Sequence, residues 1–346
     1  MKKLLLSTLV LFGTVSSVNA QLFQADNFNA YTLGNLGTDL TGEVAGQGDW
    51  LTFTSGTGGA NTDFQIVTEV GENANVLQIT GSSTTENKFA WKEAVEGAWT
   101  AREAGNNVLK VKTDFFTGGP TTSANTYRVL IYGRTVADPE ATPLLIAGFN
   151  LVASTKILQG LCYLNNAGTL NTYLINFATG GLVVPSNSWI DMEVIYNQTT
   201  GRVSWVSTAA SVDGYYDGAA ANFNIIEVDV AVIGGTGNTV SSLFKVDNFI
   251  VGAVATEDDV LSTQENIIVD KAFKVYPNPA NDIFNIESNS AIENVTLTDL
   301  NGRTVKNINV NSLSSTEVNI SDLTSGMYFV TVQTDNGSGS TKIIKK

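Results

Sequence analysis

The chain has 346 residues, one cysteine, no histidine and a formal net charge of −14. Without histidine, Ser-His-Asp and Cys-His catalysis, imidazole acid–base work and nearly every zinc or copper site are excluded. The acidic balance disfavours nucleic acid, anionic membranes and polyanionic substrates such as uronates unless calcium bridges them, and a single thiol closes no intramolecular disulfide.

Lys2-Lys3, the apolar run from Leu4 to Phe12 and Val18-Asn19-Ala20 follow one another as charged, apolar and small-residue regions. That order predicts a secretory signal peptide over residues 1–20, cleaved after Ala20. The run is too short to span a bilayer and no later stretch is long enough, so no membrane-spanning segment is expected in the mature chain. Removing the two lysines of residues 1–20 takes the formal charge from −14 to −16.

Residues 21–255 read as one large β domain. Proline is scarce at 6, glycine frequent at 32, and helix-forming stretches are few. Strand candidates run from Leu22–Phe28 through Val108–Phe116, Tyr127–Arg134 and Trp189–Tyr196 to Leu243–Val251. They number about fourteen, at regular spacing with Gly, Asn and Ser turns, which suits a jelly roll of two antiparallel sheets packed ~10 Å apart. Trp91 to Gly105 has helix-forming residues, but Gly97 interrupts it and its apolar residues do not settle on one face. Two short strands around a loop are expected there, with a short helix as the alternative. Cys162 lies in the apolar strand Gly160-Leu161-Cys162-Tyr163-Leu164 and reads as a buried small hydrophobe.

Three constellations are candidate sites. Asp191 and Glu193 stand i, i+2 on one strand and so share a sheet face. Their flanking positions, Trp189 and Ile195, supply no third acid, so a solvated strand face stands beside the catalytic reading. Tyr215-Tyr216, between Gly214 and Asp217-Gly218, reads as a loop pair able to stack on sugar rings, with Trp99 as a second candidate; the other reading is aromatics without a role. Asp-Asn-Phe occurs at 26–28 and again at 247–249. If the first and last strands pair, Asp26 and Asp247 could share a structural Ca²⁺. Two unrelated strand-end turns are the other reading.

Residues 256–270 carry five acids and no base, as a linker or processing region would. Beyond them, Phe273-Lys274-Val275-Tyr276-Pro277-Asn278-Pro279 leads into about six or seven short alternating segments, punctuated by Asn301-Gly302 and Leu323-Thr324-Ser325-Gly326. "VYPNPANDIFNI", "LTDLNGRTVKN", "LTSGMYFVTV" and "TKIIKK" resemble, in order and spacing, the type A C-terminal sorting domain of the type IX secretion system. The resemblance covers residues 271–346. It implies a small Ig-like β-sandwich, type IX secretion machinery as partner and Tyr276, Pro277, Asn278, Pro279, Asn301, Gly302, Gly326 and Tyr328 as the sorting signal. It also implies that the protein is secreted or displayed on the outer membrane of a Gram-negative bacterium. "DNFNAYTLGNL…GQGDW", "SWIDMEVIYNQTTGRVSW" and "FKVDNFIVGAV" resemble the concanavalin A-like, laminin-G-like jelly rolls of secreted bacterial proteins. That resemblance implies an all-β, two-sheet sandwich over 21–255 and a non-catalytic, glycan-binding or adhesive role. A polysaccharide-degrading enzyme using Asp191 and Glu193, or a purely structural surface protein, are the alternatives.

Overall fold

The computed structural model describes residues 20–69, 74–259, 273–298, 303–334 and 337–346. The expected signal peptide, apart from Ala20, and most of the acidic linker lie outside the described residues. The chain divides into two compact units, residues 1–261 and 262–346.

In the first unit the chain order is β1 (Gln21–Asp26), β2 (Gly34–Asn35), β3 (Leu51–Thr54), β4 (Phe64–Thr68), β5 (Asn75–Gly81), β6 (Lys88–Trp91) and a helix α1 (Ala94–Thr100). It continues with β7 (Val108–Phe116), β8 (Thr126–Thr135), β9 (Leu144–Val152), β10 (Ile157–Asn166), β11 (Thr169–Asn176) and β12 (Leu182–Val183). The last five strands are β13 (Trp189–Asn197), β14 (Arg202–Ser207), β15 (Val212–Asp217), β16 (Phe223–Ile233) and β17 (Ser242–Val254). They form two antiparallel sheets. Sheet A runs β15-β14-β13-β7-β17-β5-β4-β2, with β1 also on β17. Sheet B runs β11-β10-β9-β8-β16-β6-β3, with β12 on β10. The unit is an all-β, two-sheet jelly-roll sandwich.

Alternation explains why the sheets face each other. Tyr127, Val129 and Ile131 of β8, and Leu109, Val111 and Phe115 of β7, send every second side chain into one shared core. Aromatic pairs bridge the sheets: Phe115 stacks on Phe149 at 4.8 Å, and Tyr127 on Phe244 at 4.8 Å. Trp205 crosses from β14 and donates its indole N–H to the Gly148 carbonyl at 2.7 Å. A Cβ on Gly160 would stand 2.4 Å from that indole, so only glycine leaves room for it. Cys162 is buried in the same core, and burial pushes its thiol up to about 12.

The stretch after Trp91 corrects the expectation of two strands, for α1 forms there. Val95 and Trp99, one turn apart, are both fully buried, while Gly97 faces open space and disturbs nothing. The helix packs against β1 and β16.

The second unit holds β18 (Phe273–Tyr276), β19 (Ile283–Thr298), β20 (Thr304–Asn319), β21 (Gly326–Thr334) and β22 (Gly337–Lys345). Where the sequence reads as several short strands, β19 and β20 are single 16-residue strands. Register shifts between Glu287 and Ile292 break the ladder and let the ribbon bend. Phe284 and Ile286 from one half of β19, and Val295 and Leu297 from the other, then face a common core with Val330, Val332 and Ile343. No helix among the described residues is long and apolar enough to cross a membrane.

Candidate functional site

The outer face of sheet B carries two adjacent rows of side chains of different character. Residues of β8, β9, β10 and β11 that pair across strands point to the same side. The first row is Arg128–Asn150–Gln159–Asn176. Its members are joined end to end: Arg128 Nε donates to Asn150 Oδ1 at 2.8 Å, Asn150 Nδ2 to Gln159 Oε1 at 3.1 Å, and Gln159 Nε2 to Asn176 Oδ1 at 2.8 Å. The second row is Leu130, Gly148, Leu161 and Leu174. Leu130 and Leu161, with Ala231, form an apolar cluster separate from the central core, and Leu174 is 48% exposed at the rim. The result is a fixed polar ladder beside an apolar strip that is buried at Leu130 and Leu161 and opens to the surface at Leu174.

On β16 the same face presents Glu227 and Asp229, opposite Tyr132 and Leu130. The two carboxyls are close enough to interact, each acting on the other's protonation. Burial pushes both upward, Asp229 well above the carboxylate range, since two touching carboxylates in a dry site do not both ionise. Burial also raises the Tyr132 hydroxyl, with Asp229 and Glu227 adding to the effect, so it stays protonated and acts as a donor.

The residues singled out in the sequence fall elsewhere. Trp99 is fully buried in α1, edge-on to Phe23 with the Arg102 guanidinium 3.9 Å from its ring, and so is no exposed platform. Tyr215 and Tyr216 lie not in a loop but on the edge strand β15. They are 60% and 45% exposed, yet successive strand residues face opposite sides. Tyr216 pairs with core residue Val203 and Tyr215 with Ser204, so the two rings form no common surface. Arg202 stacks 3.9 Å over Tyr215 while its Nε binds Asp217 Oδ1 at 2.9 Å.

The first and last strands do pair, with Asp26 opposite Phe249. This turns Asp26 inward, where its Oδ2 takes Trp50 Nε1 at 2.8 Å and Lys92 Nζ at 2.5 Å. Asp247 follows the inward Val246 and faces outward, its Oδ1 accepting from the Asn248 amide at 2.7 Å. The two carboxylates stand on opposite faces and do not fit one calcium ion. Among the described residues, no three His, Cys, Asp or Glu side chains converge as metal ligands.

Asp191 and Glu193 share the outer face of sheet A, beside a cavity of about 370 Å³. Asp191 accepts the amides of Thr208 and Ala209, both at 2.8 Å, which holds its carboxyl below the usual range despite partial burial. Glu193 meets Lys110 at 3.2 Å and Lys112 at 3.8 Å. Both acids are engaged in fixing a loop and neighbouring strands.

In the tail, Tyr276, Pro277, Asn278, Pro279 and Gly326 are exposed, whereas Tyr328 is buried and donates its hydroxyl to Thr324 O at 2.8 Å. Asn301 and Gly302 lie outside the described residues. Asn278 Oδ1 accepts the Ile344 amide at 3.0 Å, and Ala280 exchanges backbone hydrogen bonds with Ile344 and Lys346. The Tyr-Pro-Asn-Pro motif and the basic chain end are thus held together as one surface.

Several solved structures are similar at low identity. One is a carbohydrate esterase from Shiga toxin-encoding bacteriophage phi24B, with 15% identity, 64% of this chain and 99% of that chain covered, and a TM-score of 0.40. Another is a sialidase, with 11% identity, 69% and 19% covered, and a TM-score of 0.42. A third is the endo-β-1,4-glucuronan lyase of the fungus Trichoderma reesei, with 10% identity, 55% and 87% covered, and a TM-score of 0.40. No curated protein matches the chain. Residues 274–346 match the family of secretion system C-terminal sorting domains. The five-stranded tail is accordingly a type IX secretion sorting domain, and the protein that carries it is secreted or displayed at the cell surface.

Proposed function

We propose that the jelly roll is a non-catalytic glycan-binding module, exported by its tail, and that the glycan lies across β8 to β11 on the outer face of sheet B. The observation that carries this reading is the amide ladder beside the apolar strip. A pyranose ring is apolar on its C–H face and rimmed by hydroxyls, so it needs a flat apolar seat and planar donor–acceptor groups fixed in place. Leu174, exposed at the rim and backed by the buried Leu130 and Leu161, supplies the seat; Gln159 and Asn176 supply the amides. Because each amide is already held by its neighbour, little side-chain entropy is lost on binding.

Glycan hydrolysis is the second reading, and Glu227 with Asp229 is the observation in its favour. Retaining glycosidases hold their carboxyls ~5–5.5 Å apart and inverting ones farther still. Asp229 is only 3% exposed, which keeps it from a scissile bond and favours binding over cleavage.

The test is a glycan panel screened with the exported full chain and with Leu174→Asp and Asn176→Ala, both at the exposed rim. Wild type binds, and each variant weakens binding by roughly tenfold or more, as loss of a seat or a directed hydrogen bond requires. Full affinity in both variants would remove the glycan from this face.

A further inference from the structure

We infer that Arg128 is an anion-reading subsite on this face, and that the glycan it serves carries a carboxylate or sulfate ester. This deepens the glycan-binding reading above and rests on it. The inference starts from what the other cations of the first unit do. Lys88, Lys92, Lys110, Lys112, Arg134, Arg202 and Lys245 each meet a carboxylate. Arg102 and Lys156 spend their N–H groups on carbonyls and amides of the chain. Arg128 does neither. Only its Nε is used, toward Thr126 Oγ1 at 3.0 Å and Asn150 Oδ1 at 2.8 Å.

Those two bonds fix the guanidinium plane and leave the Nη1/Nη2 edge with no partner among the described residues. That edge is the fork that takes two oxygens of an anion side by side. The edge is not among the buried unpartnered groups, so it is open to an anion from outside the chain. Burial already lowers the affinity of Arg128 for its proton, with Tyr132 the one charged-state neighbour acting the other way. Tyr132, four residues on along the same strand, shares this face, and burial keeps its hydroxyl protonated.

The neighbouring charges permit an anion. Arg128 pairs across the strand with Ala231, not with an acid. Asp229 and Glu227 lie farther along β16, and burial favours their protonated forms, so they present less negative charge than two free carboxylates would. Arg134, farther along β8, is occupied with Glu96 at 3.5 Å. The acidic balance of the whole chain repels a long polyanion, but at physiological salt that field fades within about 8 Å, and the local cation decides.

The test is calorimetric titration of the exported full chain with oligosaccharides of equal length: an oligouronate, a sulfated oligosaccharide and a neutral one. Wild type binds one of the two anionic ligands more tightly than the neutral one, and which of them it prefers separates carboxylate from sulfate. Arg128→Gln loses roughly 10- to 100-fold for that ligand, the range of charge-assisted hydrogen bonds, and with it the preference for the anionic over the neutral ligand. Arg128→Lys keeps the charge without the fork and falls between. It also guards against misfolding, since a folded Lys variant with the full loss still assigns the effect to the fork. Anionic and neutral ligands bound equally, with Arg128→Gln indifferent, would overturn the subsite while leaving the glycan reading intact. Binding of no oligosaccharide at all would overturn both.

Discussion

At the residue scale, Asp229 is the side chain whose environment has the most measurable consequence. It is 3% exposed and interacts with Glu227, with Glu93 adding negative charge near Glu227. A carboxyl raised on folding stabilises fully below its unfolded value of 3.8, and that contribution is lost as pH rises through the folded value. Asn at this position mimics the protonated acid at every pH. The melting temperature of wild type relative to Asp229→Asn is therefore expected to fall between pH 4 and pH 8, by roughly 2–4 °C per kcal/mol for a domain of this size. A difference independent of pH would mean that Asp229 does not hold its proton. The sequence hid this pair in plain spacing: Glu227 and Asp229 repeat the i, i+2 pattern of Asp191 and Glu193, and only burial distinguishes them. Trp99 was misplaced for a related reason, since exposure is set by what α1 packs against and not by residue type.

At the scale of elements, alternation made the strands legible and their register did not follow. Asn150 is the single polar residue of its strand, and Arg128 and Gln159 interrupt apolar stretches of theirs, which is a visible signal. Their convergence into one row depends on pairing across β8, β9 and β10, and a one-residue slip would reverse every face. The same limit explains Asp26 and Asp247. The repeated Asp-Asn-Phe turns do mark strands that pair, but the register sends one carboxylate inward and the other out. Gly214 and Gly218 make Tyr215-Tyr216 read as a loop, yet Gly214 sits inside β15, and an edge strand tolerates an interior glycine. Sheet A supplies the contrast for function. Asp191→Asn with Glu193→Gln is expected to leave glycan affinity within twofold, because both acids serve the loop at Thr208 and the lysines of β7. Loss of glycan affinity in this double variant, with the fold preserved, would move the site to sheet A.

At the scale of the whole molecule, the tail was the most legible part because its signals are local. Two prolines, turn dipeptides and alternating segments are read without knowing any long-range contact. The structure adds that Asn278 is hydrogen-bonded to the last strand, so the exposed motif and the basic end form one surface. The division of labour we propose follows: the tail carries the address, and the jelly roll carries the proposed glycan face. The central claim concerns that face, and the most direct measurement is a crystal structure of the exported protein soaked with an oligosaccharide that binds it. The account predicts sugar density across β8 to β11, its ring over Leu174 and its hydroxyls at Gln159 and Asn176. Ordered sugar on the outer face of sheet A, or at Tyr215 on the edge strand, with the outer face of sheet B empty, would contradict it.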